Sequence, residues 1–367
     1  MTQHARVHRF ARAISRLSDP GDKLHQRLCA ETPHMDPETM SSGLVASLTP
    51  WDETGLSALV AEEQSYCSGG IPPQLCLVVL GGVLPPSHIQ AIAYPYLLGA
   101  EIIVKHPSRD PLFPSIFSEA LDDELLVVER LGFGGVWSRA DAAVAVGDDE
   151  SIHAISQRIA AATPMLRFGH RTAVCLVLGG GVARNQSTAQ SIATSIGTFD
   201  QLGCLSPREV LVVGSEDDAS ALAEAVSQEL AQYPLRRSLG LEVESSIRAF
   251  REAGLIGSHA IWGPDDLQWG VQVRVGGQHE GTPGGRQIII RAIEHLSALP
   301  EVIAPVAGRL SAVGVSGGPL DPATTRMLVR AGASRIVEPG QLQAPPPTWP
   351  HDGCRPLASL CRWFSHD

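Results

Sequence analysis

Position 204 holds a cysteine whose placement suits nucleophilic chemistry. Cys204 follows a segment with helical spacing of apolar residues and stands just before an apolar strand predicted at 209–214. A thiol at such a junction can face a cleft, whereas a cysteine inside a strand is normally packed as a small apolar residue. An ordinary thiol has a pKa of about 8.5, so only a small fraction is thiolate at neutral pH. A catalytic Cys204 therefore needs a neighbouring positive charge or base, and the sequence does not reveal that group.

The residues around Cys204 predict a short, constrained link. Apolar residues recur at helical spacing over 186–199 and predict a helix that packs into the core of a second domain. Gly203 suits a left-handed turn position, and Pro207 prevents the helix from continuing. We expect the backbone N–H of Cys204 to be available there as a hydrogen-bond donor.

The other six cysteines have no comparable placement. Seven is an odd number, no CxxC spacing occurs and no signal peptide is apparent, which together favour a reducing cytoplasm over disulfides. No zinc or other metal site is predicted. These six lie in apolar runs, in polar surroundings or beside a predicted C-terminal helix: Cys29, Cys67, Cys76, Cys175, Cys354 and Cys361.

Composition argues against two classes of protein. The net charge is −11 at pH 7 and no dense cluster of Lys and Arg occurs, so a nucleic-acid partner is not predicted. The longest apolar stretches have about ten residues, and a membrane-spanning helix needs about twenty. No membrane span is predicted. The arginine-rich start at 6–17 imitates a transit peptide, but we interpret it as an ordinary first helix.

Alternating elements must position these residues. A chain of 367 residues exceeds what one hydrophobic core usually supports, so about two domains are expected. From residue 74, short runs of Val, Ile and Leu alternate with helical patterns, which is typical of parallel sheets covered on both faces. The fold class is therefore α/β, doubly wound. Strands are predicted at 74–83, 101–105, 142–146, 173–178, 210–213, 312–315 and 335–337, and helices at 53–63, 88–98, 114–121, 149–162, 186–199, 217–230, 243–253, 286–299 and 322–331.

Three segments have weaker patterns. Residues 20–70 are rich in Pro, Ser and acidic residues, with one helical patch. The Gly-rich stretch at 269–285 is interpreted as a surface hairpin in preference to the lining of a substrate tunnel. The tail from 340 is Pro-rich and is predicted to close with a helix.

Ligands of open parallel sheets bind outside the carboxyl ends of the strands. Here those ends carry Gly pairs, a lysine, and the start of a helix whose free N–H groups could bind phosphate. Turn formation explains each Gly pair equally well, and ordinary solvation explains the lysine. No GxGxxG motif is present. The residues concerned are Gly81 with Gly82, Lys105 with Ser108, Gly147 with Asp148, and Gly179 with Gly180.

Three segments match one known pattern in order and spacing. They are Phe199-Asp200-Gln201 with Cys204 and Ser206-Pro207, then 98–105 with Ser108 and Asp110-Pro111, and last 335–340 with 349–353. Together they span roughly residues 75–363. This pattern resembles the acyl-CoA reductase family of bacterial bioluminescence, which lies within the aldehyde dehydrogenase superfamily.

The resemblance implies an aldehyde-dehydrogenase-like fold of two doubly wound α/β domains, with the active site in the cleft between them. It implies a partly helical N-terminal lead-in at 1–70, a dinucleotide-binding domain at 71–178 plus 335–367, and a catalytic domain at 179–334. The implied reaction is NADPH-dependent reduction of an acyl thioester, carried by coenzyme A or a carrier protein, to the aldehyde through an acyl-cysteine. A cytoplasmic homo-oligomer is also implied.

The same resemblance assigns roles to individual residues. Cys204 matches the nucleophilic cysteine, and Lys105 matches the lysine that reaches the adenosine ribose or its phosphate. The preference for NADPH over NADH rests on the resemblance alone, and Asp148 is unfavourable to a second phosphate. The cofactor-binding residues implied are Gly82, Lys105, Ser108, Gly147, Asp148, Gly179 and Gly180.

Two departures from the superfamily pattern affect the predicted chemistry. Where many aldehyde dehydrogenases have an Asn that binds the oxyanion, the spacing places Gly82, and loss of one such donor can cost about 10² to 10³ in rate. Where they have a Glu base in a Glu-Leu-Gly-Gly-Lys run, the nearest match is 177–181, which has Val177 at the base and Gly181 at the lysine. Without a carboxylate to activate water, an acyl-cysteine is protected from hydrolysis, which favours thioester reduction over aldehyde oxidation.

Alternatives remain at the level of the sequence. His351 is a candidate for proton transfer, but packing and capping explain its Trp-Pro-His-Asp-Gly turn equally well. An aldehyde-oxidising dehydrogenase is the nearest rival activity. A catalytically inactive binding subunit of the same fold is a third reading, which Gly82 suggests and which the presence of Cys204 and Lys105 disfavours.

Overall fold

The computed structural model of this protein describes residues 1–108, 112–129, 134–238 and 240–365, so Asp110 and Pro111 of the matching pattern lie outside the described residues. The chain packs into two compact units. The first unit comprises Met1–Pro33, Leu44–His170 and Ala344–Asp367, and the second comprises His34–Gly43 and Arg171–Gln343.

The strands are numbered in chain order. Their bounds are β1 Gly70–Ile71, β2 Leu75–Val79, β3 Glu101–Lys105, β4 Leu126–Glu129, β5 Ala142–Val146, β6 Met165–Phe168, β7 Thr172–Leu178, β8 Pro207–Val213, β9 Ala260–Trp262, β10 Gly270–Val275, β11 Gln287–Ile293, β12 Leu310–Ser316, β13 Arg335–Val337 and β14 Arg362–Trp363.

The α-helices are numbered in the same way. Their bounds are α1 Gln3–Ser18, α2 Lys23–Glu31, α3 Pro37–Leu48, α4 Glu53–Cys67, α5 Pro85–Leu98, α6 Leu112–Leu121, α7 Asp149–Ser156, α8 Gly180–Ala183, α9 Gln186–Gly197, α10 Glu216–Leu230, α11 Leu241–Gly257, α12 Leu299–Val302 and α13 Pro322–Arg330.

The first unit is built on a five-stranded parallel sheet with strand order β4-β3-β2-β5-β6. All five residues of β2 are buried, as expected for a central strand covered on both faces. Chain order runs outward from β2 in one direction and then resumes on its other side at β5. That reversal is the topological switch point at which such sheets bind ligands.

The second unit is built on a seven-stranded sheet with strand order β13-β12-β7-β8-β11-β10-β9. Every neighbouring pair is parallel except β10 with β9. Strand β11 is buried along its whole length. One face of this sheet packs on a core that includes Val174, Leu176, Leu211, Ile293, Val313 and Leu328.

The predicted α/β class is confirmed, and the strands predicted at 101–105, 142–146 and 335–337 have those bounds in the structure. The unit boundaries differ from the predicted domains. Strand β7 belongs to the second unit because it pairs with β12 and β8, and β13 belongs there because it pairs with β12. Residues 1–70 form four helices that divide between the units, so they are not a separate lead-in.

Three local predictions were wrong. The segment predicted as a helix at 286–299 contains strand β11, because a strand buried on both faces shows no alternation of polar and apolar residues. The Gly-rich stretch is not a hairpin, since β10 within it runs parallel to β11. The tail ends in 3-10 turns at His351–Gly353 and Ala358–Leu360 followed by β14, without the predicted closing helix.

Candidate active site

The turn before β8 is locally strained. Phe199, Asp200 and Gln201 have φ values of 53°, 54° and 60°, in the left-handed region that residues with side chains rarely adopt. Three such residues in succession persist only where the surroundings hold them, and strain of this kind is concentrated at functional sites. Gly203, which was predicted to take the left-handed position, does not have a positive φ.

A buried ion pair holds Asp200. Its carboxylate contacts the guanidinium of Arg286, and both side chains are almost completely buried. Burial raises the pKa of Asp200, while the adjacent Arg286 opposes that shift. The guanidinium also donates to the Pro234 carbonyl oxygen at 2.7 Å and lies over the Tyr233 ring, 5.4 Å from its centroid. The start of the turn is therefore fixed by charge and packing together.

The Gln201 carboxamide closes the turn around Cys204. Its Nε2 donates to the carbonyl oxygens of Pro207 and Gln287 at 2.8 and 2.9 Å, and its Oε1 accepts from the Gln287 backbone N–H at 2.8 Å. One buried side chain thus joins the first residue of β8 to the first residue of β11. The five residues between Gln201 and Pro207 are held at both ends.

Cys204 is one of the few residues of this turn that solvent reaches. Within 199–208, only Leu202, Cys204 and Arg208 are partly exposed, and the other residues are buried. Nearby, Ser206 is fixed because its hydroxyl accepts from Gln343 at 2.6 Å. The rigid surroundings therefore present the thiol, which is the arrangement that nucleophilic chemistry needs.

Gly179 and Gly180 do not share the sheet edge of Cys204. Cys204 lies at the amino end of β8, whereas the two glycines follow the carboxyl end of the parallel neighbour β7. Seven residues of extended strand separate these edges by about 20 Å. Their predicted role in binding the cofactor therefore gains no support from the surroundings of the thiol.

The register of β7 against β8 also contradicts the match of Val177 to the Glu base of aldehyde dehydrogenases. This residue is fully buried inside β7 and pairs with Val212 near the carboxyl end of β8, far along the strands from Cys204. A side chain at that position cannot act as a base on an intermediate at Cys204. The inference that a missing carboxylate protects the acyl-cysteine therefore loses its basis.

Predicted cofactor residues gather at one edge of the first unit. Lys105 ends β3, Gly82 follows β2, and Gly147 with Asp148 follows β5, so all of them lie at the carboxyl ends of adjacent parallel strands. Lys105 is partly exposed, and its neighbour in the register of β4 is Glu129. Ser108 is exposed just beyond Lys105.

Two details of that edge bear on what it can bind. Gly82 has a φ of 78° and no atom within 4 Å of the position a Cβ would take, so the chain there leaves room for a close approach. Asp148 is the N-cap of α7, and its carboxylate accepts from the Ser151 N–H at 2.6 Å. That hydrogen bond holds the pKa of Asp148 below its usual value. Asp148 therefore caps the helix end at which a phosphate was expected.

His351 lies in an aromatic stack of the first unit. Its ring is 4.1 Å from the Phe168 ring centroid at 8° and 4.3 Å from the Trp349 ring centroid at 24°. Both faces of the imidazole are thus covered, and the residue is buried. This geometry favours the packing interpretation over the proton-transfer interpretation.

Sequence reasoning missed three contributors to the turn: Arg208, Arg286 and the clamping role of Gln201. Arg208 stands four residues after Cys204. Burial lowers the pKa of Arg208, and its electrostatic interaction with Cys204 opposes that shift. The signal in the sequence was an arginine beside the predicted strand. Arg286 was hidden because its segment was predicted as a helix.

Comparison with solved structures defines the class of fold. The chain superposes on an oxidoreductase from Marinobacter aquaeolei with a TM-score of 0.70 at 12% identity, covering 94% of this chain and 79% of that one. It superposes on an aldehyde dehydrogenase of Mycobacterium tuberculosis, solved with NAD+, with a TM-score of 0.68 at 13% identity, covering 92% and 78%. The protein therefore has the aldehyde dehydrogenase fold.

The family follows from the sequence comparison. The model of the acyl-CoA reductase (LuxC) family matches residues 134–363, so this chain belongs to that family. It is 21% identical to long-chain acyl-protein thioester reductase 2 of Photobacterium leiognathi, over 81% of this chain and 65% of that protein. It is 20% identical to the corresponding reductase of Aliivibrio fischeri, over 93% and 72%. The chain thus spans roughly two thirds of the length of these relatives.

Two further kinds of site are absent from the part of the chain that the structure describes. Across the described ranges, no helix is both long enough and apolar enough to cross a membrane. The same residues contain no cluster of His, Cys, Asp and Glu arranged to hold a metal ion.

Proposed function

We propose that this chain reduces acyl thioesters to aldehydes, with Cys204 as the nucleophile and a reduced nicotinamide dinucleotide as the source of hydride. The observation that carries the proposal is the partly exposed thiol in a turn that is strained, clamped and mostly buried. Membership of the acyl-CoA reductase (LuxC) family supports it, as do relatives named as long-chain acyl-protein thioester reductases.

The chemistry at Cys204 begins with its thiolate attacking the acyl carbonyl carbon. A bond forms between Sγ and that carbon, and the bond to the carrier thiol breaks, so the carrier leaves as a thiolate that takes a proton from solvent. The acyl group is then held on Cys204. When bound, the reduced nicotinamide supplies the hydride that turns the acyl carbonyl into an aldehyde. Cys204 finally leaves as a thiolate when its bond to that carbon breaks.

The carboxyl edge of the first unit fits a dinucleotide. It is the switch point of a parallel sheet, Gly82 leaves room for a close approach, and the partly exposed Lys105 provides a cation there. We propose Gly82, Lys105, Ser108 and Gly147 as cofactor-binding residues.

The preference for NADPH is supported by the position of Lys105. It ends the second strand, in chain order, of the five-stranded sheet, where enzymes that prefer NAD carry an acidic residue for the ribose hydroxyl. A lysine there suits the 2′-phosphate of NADPH. From the sequence, Asp148 was expected to be unfavourable to that phosphate. It lies just after β5 and caps α7, so it does not occupy the position that decides the cofactor preference.

The rival reading is oxidation of aldehydes to acids. The argument from Val177 no longer separates the two activities, because that residue does not lie near Cys204. The relatives' names favour thioester reduction. Coenzyme A or a carrier protein as the carrier, a homo-oligomeric assembly and a cytoplasmic location remain predictions.

A direct test follows nicotinamide absorbance while the protein turns over a panel of acyl-CoA and acyl-carrier thioesters. We expect NADPH oxidation with at least one acyl length, and a loss of at least about 10³-fold in Cys204→Ala because the nucleophile is gone. Cys354→Ala is the matched control, since that thiol is also partly exposed, and it should keep full activity. Full activity in Cys204→Ala, or turnover only of aldehyde with NAD and no added thiol, contradicts the proposal.

A further inference from the structure

Arg208, near the start of β8, has no partner residue on either neighbouring strand. In the pairing of β7 with β8, Ala173 faces Pro207 and Val174 faces Glu209, so Arg208 has no partner residue on β7. On its other side, the pairing of β8 with β11 begins only at Glu209. Arg208 is therefore the extra residue of a β-bulge. Bulges redirect a side chain and are frequent next to active sites.

The Arg208 side chain lies beside the turn that contains Cys204. A Cβ added to Gly284 would lie 2.5 Å from Arg208 Nη1 and 3.5 Å from the Gln201 carbonyl oxygen. Gly284 has a φ of 85°, a conformation that favours glycine, and the Arg208 guanidinium occupies the space that a Cβ would take. The bulge and this glycine together place the guanidinium beside the clamped turn, where it interacts electrostatically with Cys204.

The carboxylates near this turn are already paired with other cations. Asp200 pairs with Arg286, and Glu209 contacts both Arg291 and His279. Glu280, the next carboxylate in this group, contacts Arg291 and Arg274. No ion pair joins Arg208 to a carboxylate within the described ranges. Its charge is therefore left to act on Cys204.

We propose that Arg208 is the positive charge that keeps Cys204 in its reactive thiolate form. The thiol proton goes to solvent, and the guanidinium stays protonated because arginine does not lose its proton in proteins. A neighbouring positive charge favours the charged form of a thiol. Arg208 thereby supplies the group that the sequence left unidentified. The inference rests on the proposed role of Cys204, but its test does not require turnover.

The test measures alkylation of Cys204 by iodoacetamide as a function of pH, with the modified peptide identified by mass. Arg208→Gln should slow alkylation about tenfold at pH 7 and move the midpoint of the pH profile upward by about one unit, because the thiolate fraction falls. The two rates should converge at high pH, where every thiol is ionised. A purely structural role would instead change the rate at all pH values.

Two further variants sharpen the comparison. Arg208→Lys keeps a cation and should retain a profile close to that of the wild type. Arg309→Gln is the matched control, since Arg309 is exposed at the start of β12, on the same sheet edge but two strands away, and it should leave the profile unchanged. The proposal is overturned if Arg208→Gln reproduces the wild-type profile, or if Arg309→Gln shifts it as far.

A measurement on the wild type keeps the inference testable if Arg208→Gln does not fold. Native Cys204 should reach half-maximal alkylation at a lower pH than the same cysteine in the urea-unfolded chain, and an equal or higher midpoint contradicts the proposal. Alkylation uses neither acyl thioester nor cofactor. A chain that fails to reduce thioesters can therefore still show the dependence on Arg208, and an active reductase can lack it.

Discussion

Single residues set the chemistry of this chain. Cys204 stands out because the strained and clamped turn around it leaves its thiol partly exposed. By contrast, Cys76 and Cys175 are buried inside strands, where burial raises their thiol pKa strongly. A nucleophile needs both access and a stabilised thiolate, and among these three cysteines only Cys204 has access to solvent.

Lys105 gives a prediction at the scale of one side chain. Lys105→Ala should raise KM for NADPH about tenfold, equivalent to about 1.4 kcal/mol, with a much smaller effect on KM for NADH. The reason is the loss of a cation facing the 2′-phosphate. The chain has only one other lysine, the exposed Lys23 at the start of α2, so Lys23→Ala is the control. Equal changes in KM for both cofactors would show that Lys105 does not contact the 2′-phosphate of NADPH.

The sequence could single out Cys204 and Lys105 as candidates because both stand beside strands with strong apolar patterns. It could not identify Arg208 as a partner of Cys204, since a bulge and the approach of Gly284 decide where that guanidinium lies. The misplaced Val177 has a similar cause. A short motif match cannot show at which edge of a sheet a residue lies, and only the register of β7 against β8 settles it.

At the scale of elements, the sheets explain both what was predictable and what was not. Strands β3 and β5 are bounded by charged or turn residues, and their limits could be read from the sequence. Strand β11 was taken for a helix because it is buried on both faces and so lacks a period of two. The misassignment also hid Arg286, whose pair with Asp200 fixes the turn before β8.

Helix α5 and the loop after β2 give a pH prediction. His88 on this helix is fully buried, donates from Nε2 to the Gly81 carbonyl oxygen at 3.0 Å and packs on Phe113. Burial lowers the pKa of His88 to about 4. Below about pH 6.5 the unfolded chain therefore takes up a proton that the folded chain does not, so stability falls as the pH drops.

Between pH 7 and pH 5, His88 should contribute about 2 kcal/mol to the loss of unfolding free energy. In His88→Gln, urea unfolding should show that the unfolding free energy falls by about 2 kcal/mol less between pH 7 and pH 5 than in the wild type. His153→Gln is the control because His153 is exposed, and it should behave as the wild type. An unchanged pH dependence in His88→Gln would mean that His88 titrates normally in the folded protein.

At the scale of the whole molecule, the chain has two α/β units with distinct contributions. The first has an open carboxyl edge at a sheet switch point, and the second presents a thiol at the amino edge of its sheet. The sequence anticipated an α/β fold with a cofactor-binding part and a cysteine-bearing part. It placed the boundary between them wrongly, because the pairing partners of β7 and β13 are not visible in their own residues.

The central claim is that Cys204 becomes acylated by an acyl thioester, and intact-protein mass after incubation with acyl-CoA without cofactor tests it directly. We predict a mass increase of one acyl group that maps to the peptide containing Cys204 and disappears in Cys204→Ala. Addition of NADPH should then remove the group and release aldehyde. An unmodified protein with every acyl length and carrier, or an acyl group that maps to another cysteine, would contradict the account.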